Sequence, residues 1–131
     1  MVDRRETVIG PPRMWLTVFS IDGSRESVEV MGSRFVIGRD ESCDLTIEDP
    51  KVSRQHAIIA PGGVGVRELQ DLGSVNGVLV NGVRVRAPVG FAPTERGRAE
   101  LHGGELILIG DTRLVATLED PRSVTPPGGG S

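Results

Sequence analysis

The chain has 131 residues, 37% of them hydrophobic, and its 15 basic and 18 acidic side chains give a net charge of −3. This length suits one domain, and no apolar run approaches the roughly 20 residues of a membrane-spanning helix. The acidic balance and the low aromatic content (3%) argue against a general nucleic-acid binder, which needs basic surface and stacking platforms. The single cysteine, Cys43, excludes an internal disulfide and favours the reducing cytoplasm.

Composition divides the chain into three segments. Residues 1–13 carry charges and then Gly10-Pro11-Pro12, so we predict a flexible N-terminal tail. Residues 120–131 are rich in Pro, Gly and Ser and are expected to be a linker or tail, of the kind that joins domains in a longer protein. Residues 14–119 are therefore predicted to fold as a single domain.

The pattern of residues 14–119 is that of β-structure. Short runs of β-branched or alternating apolar residues recur between turn signals, which is typical of a sandwich or barrel, and no stretch sustains a helical period. The pair Asn81-Gly82, between Val80 and Val83, predicts a two-residue hairpin turn. Residues 86–100 lack a pattern and are expected to form a long functional or mobile loop. The predicted strands are 15–19, 27–30, 34–37, 45–47, 57–59, 65–69, 77–80, 83–85, 105–109 and 113–118.

Groups that suit an anion occur on three of the predicted connections. Gly38-Arg39 ends one strand, residues 53–56 (SRQH) precede another, and residues 71–77 (DLGSVNG) precede a third. Because loops at one end of a sandwich converge, we expect these groups to lie close together. Guanidinium, hydroxyl, amide and backbone N–H donors together fit a tetrahedral oxyanion such as phosphate.

The combination of these motifs resembles the forkhead-associated (FHA) domain family. The resemblance is carried by FVIGRDESCDLTIEDPKVSRQHAII (35–59), DLGSVNGVLVNGVRV (71–85) and LHGGELILIG (101–110), in this order and spacing. It implies an all-β fold, a sandwich of about eleven short, mostly antiparallel strands. The function that it implies is the binding of phosphothreonine peptides through loops at one end, without catalysis, cofactor or metal.

The resemblance also assigns residues to the phosphate. Arg39 matches the arginine that grips the phosphate, and Ser53 matches the serine that hydrogen-bonds one of its oxygens. Arg54 matches the neighbouring residue that adds a second contact. Ser74 and Val75 lie where the family places a small hydroxyl residue or a backbone N–H near the phosphate.

Asn76 matches the family's asparagine that holds the peptide backbone around the phosphothreonine. This sequence departs from the family pattern in Val78, where threonine is frequent, in Gly104-Glu105, where Gly-Asp is frequent, and in the length of segment 86–100. These departures concern the surroundings of the pocket. A further departure is Val75, which has no hydroxyl, so a phosphate contact there must come from its N–H or from Ser74. The residues expected to shape the loops are Gly38, His56, Gly77, Asn81 and Gly82.

Other function classes explain the same residues less well. His56 near Ser53 is not a hydrolase signal, since a catalytic triad also needs an orienting acid and no GxSxG elbow is present. The main alternative is a phospho-independent protein-interaction domain with a vestigial phosphate pocket. We expect a cytoplasmic module of a larger bacterial regulator in a Ser/Thr kinase pathway, with neither nucleic acid nor membrane as partner.

Thr7 is a candidate phosphorylation site within the N-terminal tail. It lies in the charged stretch 4–9 (RRETVI), ahead of the predicted phosphothreonine reader. Phosphate would add about −1.5 to −2 charges and three strong acceptors to this tail. The partner of the domain is therefore either a separate phosphothreonine protein or its own phosphorylated tail.

Overall fold

A computed structural model describes residues 10–85 and 97–122, and within these ranges the chain forms eleven strands. Over the same residues it has no helix of the length and hydropathy needed to cross a membrane. The strands are β1 Trp15–Phe19, β2 Arg25–Glu29, β3 Phe35–Gly38, β4 Leu45–Thr46, β5 Ala57–Pro61, β6 Arg67–Asp71, β7 Val78–Val80, β8 Val83–Arg84, β9 Arg98–Leu101, β10 Leu106–Ile109 and β11 Thr112–Thr117.

The strands form two sheets. The six-stranded sheet has the order β2-β1-β11-β10-β7-β8, and the five-stranded sheet has the order β4-β3-β5-β6-β9. Among the described strand pairs only β3 with β4 is parallel. The architecture confirms the predicted all-β sandwich of eleven short, mostly antiparallel strands.

The core lies between the two sheets and follows from the alternation within each strand. In β1, for example, Leu16 and Val18 are buried while Phe19 is only half-buried. Each fully buried Leu or Ile side chain stabilises the fold by about 1.5–3 kcal/mol relative to an exposed one. The largest contributors, fully buried in one cluster, are Met14, Leu16, Ile37, Ile59, Leu69, Leu101, Ile107, Ile109 and Leu114.

The prediction of a continuous loop over residues 86–100 is wrong at its C-terminal end. Residues Arg98–Leu101 form β9, which pairs with β6 in the register Glu68↔Glu100. In β9 two charged residues alternate with Ala99 and Leu101, and only Leu101 is buried. The apolar pattern is therefore too short to be recognised in the sequence. Such sparse patterning is typical of an edge strand. Residues 86–96 lie outside the described residues.

The chain enters and leaves the six-stranded sheet at the end remote from the β10–β11 turn. Trp15, at the start of β1, pairs with Thr117 at the end of β11, whereas Phe19 pairs with Arg113 beside the turn. The loops that carry the candidate site, described below, lie at the turn end. The two ends of the sandwich therefore have separate roles, one for chain connection and one for the site.

The end of the predicted N-terminal tail is held against the domain. The Arg13 Nε donates to the Glu29 Oε2 at 2.9 Å, and the Arg13 Cζ lies 4.8 Å from the centroid of the Trp15 ring. The Arg67 Nε donates to the Pro12 carbonyl oxygen at 2.9 Å. The chain is thus fixed from about residue 12 onward, and residues 1–9, with Thr7, and 123–131 lie outside the described residues.

Candidate functional site

Gly38 brings the first two predicted site loops into direct contact. A Cβ at this position would collide with the carbonyl oxygen of Arg54 and lie 3.0 Å from the Cys43 Sγ. Beyond it, the Arg39 N–H donates to the Ser53 carbonyl oxygen at 3.0 Å, and the Asp40 N–H donates to the Arg54 carbonyl oxygen at 3.1 Å. The loop after β3 is therefore joined by its backbone to the loop before β5, as only a residue without a side chain permits.

The Arg39 side chain is exposed and held at its base. Its Nε donates to the Val52 carbonyl oxygen at 2.9 Å. Within residues 10–85 and 97–122, its two Nη groups have no protein partner. A guanidinium fixed in this way presents its terminal donors to solvent. This geometry suits a phosphate that accepts two parallel hydrogen bonds.

Ser53 and Val75 come together from two different loops. The Val75 N–H donates to the Ser53 Oγ at 3.2 Å, which leaves the Ser53 hydroxyl proton available to an anion. Val75 is 85% exposed, and it contacts the site through its N–H. The Val75 N–H and the Ser53 hydroxyl thus lie together as one connected pair of polar groups.

The Ser74 hydroxyl is engaged inside its own loop. It donates to the Asp71 Oδ1 at 2.6 Å and accepts the Gly77 N–H at 2.9 Å. The Ser74 N–H also donates to the Asp71 Oδ1, at 3.2 Å. This arrangement holds the loop that presents Val75, so a phosphate bond from Ser74 would require its bond to Asp71 to break.

His56 joins the loops from below. It is fully buried, its Nδ1 accepts the Ser53 N–H at 3.0 Å, and its Nε2 lies 2.7 Å from the Gly77 carbonyl oxygen. Because the Nδ1 accepts a hydrogen bond, we assign the proton to the Nε2, which donates to Gly77. The ring bonds the backbone of Ser53 and not its hydroxyl, so it braces the site as predicted and forms no nucleophile–base pair.

Arg54 lies at the rim of the site. Its side chain is 78% exposed, and its Nη2 is 3.8 Å from the Asp40 Oδ2. A pair this exposed and this long contributes little to stability, since solvent screens it. The guanidinium is therefore free to turn toward an anion bound by Arg39.

Asn76 connects the site to a neighbouring groove. Its Nδ2 donates to the Lys51 carbonyl oxygen at 2.8 Å, and the Lys51 Nζ lies 3.2 Å from the Asp111 Oδ2. These three residues border a cavity of about 280 Å³ whose apolar lining includes Leu79 and Leu108. Sequence reasoning missed Lys51 and Asp111, because 60 residues separate the two partners.

The remaining predicted loop residues form turns. Asn81 and Gly82 have φ angles of 51° and 82°, and Val80 pairs with Val83, so the predicted hairpin turn is confirmed. The Asn81 Oδ1 also accepts the Leu106 N–H at 2.9 Å, which fastens the hairpin to β10. Gly77 has a φ of 78°, as a turn position requires.

Cys43 is a structural residue under the Arg39 loop. Its Sγ donates to the Arg54 carbonyl oxygen at 3.2 Å. Burial, reinforced by the nearby Asp40, raises the pKa of the Cys43 thiol above its usual value. A thiol that stays protonated is a poor nucleophile, in agreement with the sequence interpretation.

Asp49 fastens the site loops to the opposite sheet. It is 1% exposed, and its carboxylate accepts the Lys51 N–H at 2.9 Å, the Asp111 N–H at 2.8 Å and the Thr112 hydroxyl at 2.9 Å. Burial opposes ionisation of this group, but the three donors outweigh burial and hold the pKa of Asp49 below its usual value.

We expect the substitution Asp49→Asn to destabilise the domain by about 1–3 kcal/mol at pH 7, because an NH₂ group would face a buried donor. A lowered folded pKa means that the contribution of Asp49 is complete above its unfolded pKa of about 3.9 and is lost as the pH falls through the folded value. Urea unfolding of both proteins from pH 7 to pH 3 measures this. A difference that stays constant down to pH 3 would contradict the assignment.

The profile of the FHA domain matches residues 35–110 of this chain. The ABC transporter ATP-binding/permease protein Rv1747 of Mycobacterium tuberculosis is 38% identical to it over 79 residues, which are 60% of this chain. The matched part is 8% of the length of Rv1747. The resemblance to Rv1747 thus concerns one small region of a much longer protein.

Two solved structures with the same fold are described with phosphothreonine-dependent interactions or a bound phosphopeptide. A structure concerned with phosphothreonine-dependent FHA domain interactions is 26% identical and superposes with a TM-score of 0.66, covering 82% of this chain and 97% of its own. EmbR of Mycobacterium tuberculosis, in complex with a low-affinity phosphopeptide, is 25% identical with a TM-score of 0.60, covering 80% of this chain and 24% of EmbR. The range that matches the FHA family, 35–110, contains every predicted site residue from Gly38 to Gly82.

Proposed function

The chain belongs to the FHA family of phosphothreonine-dependent peptide-binding domains, and we propose that it recognises a phosphothreonine protein within a Ser/Thr kinase pathway. The main support for a phosphate site is the contact between the Ser53 Oγ and the Val75 N–H, next to the Arg39 guanidinium that is held by Val52. These groups place a hydroxyl donor and a charged fork at one opening. The function is recognition rather than turnover.

The phosphate is held mainly by charge. The Arg39 Nη groups take two of its oxygens, the Ser53 hydroxyl donates to another, and Arg54 turns from Asp40 toward the anion. Hydrogen bonds to charged groups contribute about 1.5–3 kcal/mol each, roughly twice the value for neutral pairs. Discrimination of threonine from serine comes from packing around the threonine methyl group.

Titration of the full chain with an oriented phosphothreonine peptide library tests this function. Matched libraries with threonine and with phosphoserine are the controls. Selective binding of phosphothreonine supports the proposal. Equal binding of phosphorylated and unphosphorylated peptides would instead favour a phospho-independent interaction domain with a vestigial pocket.

We expect Asn76→Ala to weaken phosphopeptide binding about tenfold, since it removes one neutral amide contact to the peptide backbone and the tie to Lys51. The domain stays folded, because Asn76 is exposed. Isothermal titration calorimetry with one selected peptide gives the change. The matched control is Gln55→Ala, which removes an exposed carboxamide from the adjacent loop, and an equal loss in both variants would argue against a specific role for Asn76.

Phosphorylated Thr7 is a second proposed ligand, and the reach of the N-terminal segment favours another copy of the chain over the same chain. Thr7 precedes the anchored Arg13 by six residues, which span at most about 20 Å. The distance from Arg13 to the site includes the length of β1, about 17 Å for its five residues. It also includes the width of the sheet from β1 to β7, which lies next to the site and three strands away. Binding within one chain would therefore need almost full extension of the tail.

A peptide of residues 3–12 phosphorylated at Thr7 tests this ligand directly. The peptide is expected to bind in a manner that Arg39→Ala abolishes. Chain phosphorylated at Thr7 is further expected to self-associate with rising concentration in sedimentation velocity. Failure of the peptide to bind, with a library peptide binding normally, would reject Thr7 and leave the reader function intact.

We further propose a cytoplasmic, regulatory role as one module of a larger bacterial protein. The support is the family, the single cysteine and the match of this chain to one small part of Rv1747. In such a protein the domain would bring a phosphorylated partner to the activity of its neighbour.

A further inference from the structure

A row of arginine and apolar side chains crosses the outer face of the six-stranded sheet. The strand register places Arg84 opposite Leu79, Leu79 opposite Leu108 and Leu108 opposite Arg113. It continues from Arg113 to Phe19 and from Phe19 to Arg25. Directly paired residues of neighbouring strands point to the same face, and Val18, Val78, Ile107, Ile109 and Leu114, which flank the middle of this series, lie in the core, so the six residues share the outer face. We call them the arginine row: Arg84, Leu79, Leu108, Arg113, Phe19 and Arg25.

The charge of the row is not neutralised within the described residues. Arg84, Arg113 and Arg25 are exposed, and none forms an ion pair with a carboxylate in residues 10–85 or 97–122. The Arg113 Cζ instead lies 5.8 Å from the centroid of the Phe19 ring. Three uncompensated cations on one face contrast with the net charge of −3 for the whole chain.

The apolar members of the row line depressions rather than a flat surface. Phe19 and Arg113, with Leu106 and Val115, surround a cavity of about 200 Å³ near the middle of the sheet. Leu79 and Leu108 belong to the cavity of about 280 Å³ beside Asn76. Leu106 is 44% exposed, so its side chain is accessible at the mouth of the first cavity. The face thus offers recesses for aliphatic side chains between exposed cations.

The row begins at the peptide site. A Cβ on Gly77 would lie 2.7 Å from the Arg84 Cζ, so the Arg84 guanidinium covers the backbone next to Asn76. Neighbouring strands are about 4.8 Å apart, which places Arg113 about 10 Å and Phe19 about 14 Å from β7. An extended peptide advances about 3.3 Å per residue. Three to five residues of ligand beyond Asn76 therefore suffice to reach the middle of the row.

We propose that the phosphorylated partner binds along the arginine row through an extended segment whose row-facing side chains, at every second position, alternate between acidic and aliphatic. The inference rests on the proposed function, because continuity with the phosphothreonine site identifies the occupant as the same partner chain. The carboxylates meet Arg84, Arg113 and Arg25, and the aliphatic groups enter the two cavities. The row then selects partners by a stretch of sequence that the phosphate loops do not contact.

Fluorescence anisotropy with three peptides on the full chain tests the proposal. The first is a nine-residue phosphothreonine peptide, and the second extends it by eight Gly/Ser residues. The third extends it by the eight residues Glu-Glu-Leu-Leu-Glu-Glu-Leu-Leu, so that Glu and Leu alternate on both faces of the extended segment. Each extension is made on either side of the phosphothreonine in turn. On one side, the Glu/Leu extension is expected to bind about tenfold more tightly than the Gly/Ser extension.

The variants Arg113→Glu and Arg113→Gln are expected to remove this gain while leaving the affinity of the nine-residue peptide unchanged. The matched control, Arg34→Glu, changes the same charge at an exposed position before β3 in the other sheet and is expected to keep the gain. Circular dichroism verifies that each variant is folded. The milder Gln variant serves if the Glu variant unfolds.

Three results would overturn the proposal. They are equal affinity of the Gly/Ser and Glu/Leu extensions on both sides, a gain that survives in both Arg113 variants, and dimers of the free chain that Arg113→Glu dissolves. The last result would assign the row to a second copy. Absence of binding by the nine-residue peptide would reject the phosphothreonine function itself, which separates the two failures.

Discussion

Replacing Arg39 with alanine is expected to reduce phosphopeptide affinity at least 30-fold, since loss of one partner of a charged hydrogen-bonded pair costs about 2–5 kcal/mol. The guanidinium is held at the site by its bond to the Val52 carbonyl oxygen, and its Nη groups are unpaired among the described residues. Among the described residues of the site loops, no second cation is braced in the same way, because Arg54 is exposed and only loosely paired with Asp40. The dianion therefore loses its main counter-charge.

Two further variants make this result specific. Arg39→Lys keeps the charge but not the planar fork or its bond to Val52, so its affinity is expected to fall between those of wild type and Arg39→Ala. Arg34→Ala removes a similar exposed arginine away from the loops and is expected to bind normally. Calorimetric titration with thermal unfolding as a folding check gives the ranking. Full affinity in folded Arg39→Ala would eliminate the proposed pocket.

Gly38→Ala is expected to have the largest effect on the fold near the site. The added methyl would collide with the Arg54 carbonyl oxygen and lie 2.8 Å from the Arg54 carbonyl carbon, and both belong to backbone that cannot move alone. Overpacking of this kind costs about 1–3 kcal/mol, or roughly 10 °C in the melting temperature of a domain of this size. Separation of the two loops also displaces the bonds from Arg39 and Asp40 to Ser53 and Arg54, so phosphopeptide binding falls with stability.

Gly63→Ala is the matched control for this substitution. A methyl group there would meet only the Val66 Cγ2, at 3.9 Å, an ordinary contact in an exposed turn. Its melting temperature and affinity are expected to equal those of wild type. If both glycine variants lost stability to the same extent, backbone stiffening rather than loop collision would be responsible.

The order of the elements could be read from sequence because strand alternation and turn chemistry are local signals. The Asn81-Gly82 turn is an example, since its positive φ angles depend on the identity of those two residues. The site loops were recognisable for a related reason, as Gly38-Arg39 and residues 53–56 lie directly beside strands. The weakly patterned β9 was missed because an edge strand buries little.

Relationships across the chain were beyond sequence reasoning. Asp49 and Thr112 are 63 residues apart, and nothing in either local pattern indicates that they share a buried hydrogen bond. The Ser74 hydroxyl was expected near the phosphate, but its bond to Asp71 became visible only once the loop geometry was known. The arginine row likewise exists only through the pairing of β8, β7, β10, β11, β1 and β2.

The separation of the chain ends from the loops determines how the domain works when it is tethered. Any polypeptide joined before β1 or after β11 leaves from the base of the sandwich, about 17 Å below the loops. A large domain attached there does not block access to the site loops, and the bound partner lies at the opposite end of the sandwich. If one chain carried several such domains, all of their ligand sites would remain accessible. The avidity for a partner with several phosphothreonines would then rise with the number of domains, while each site bound independently.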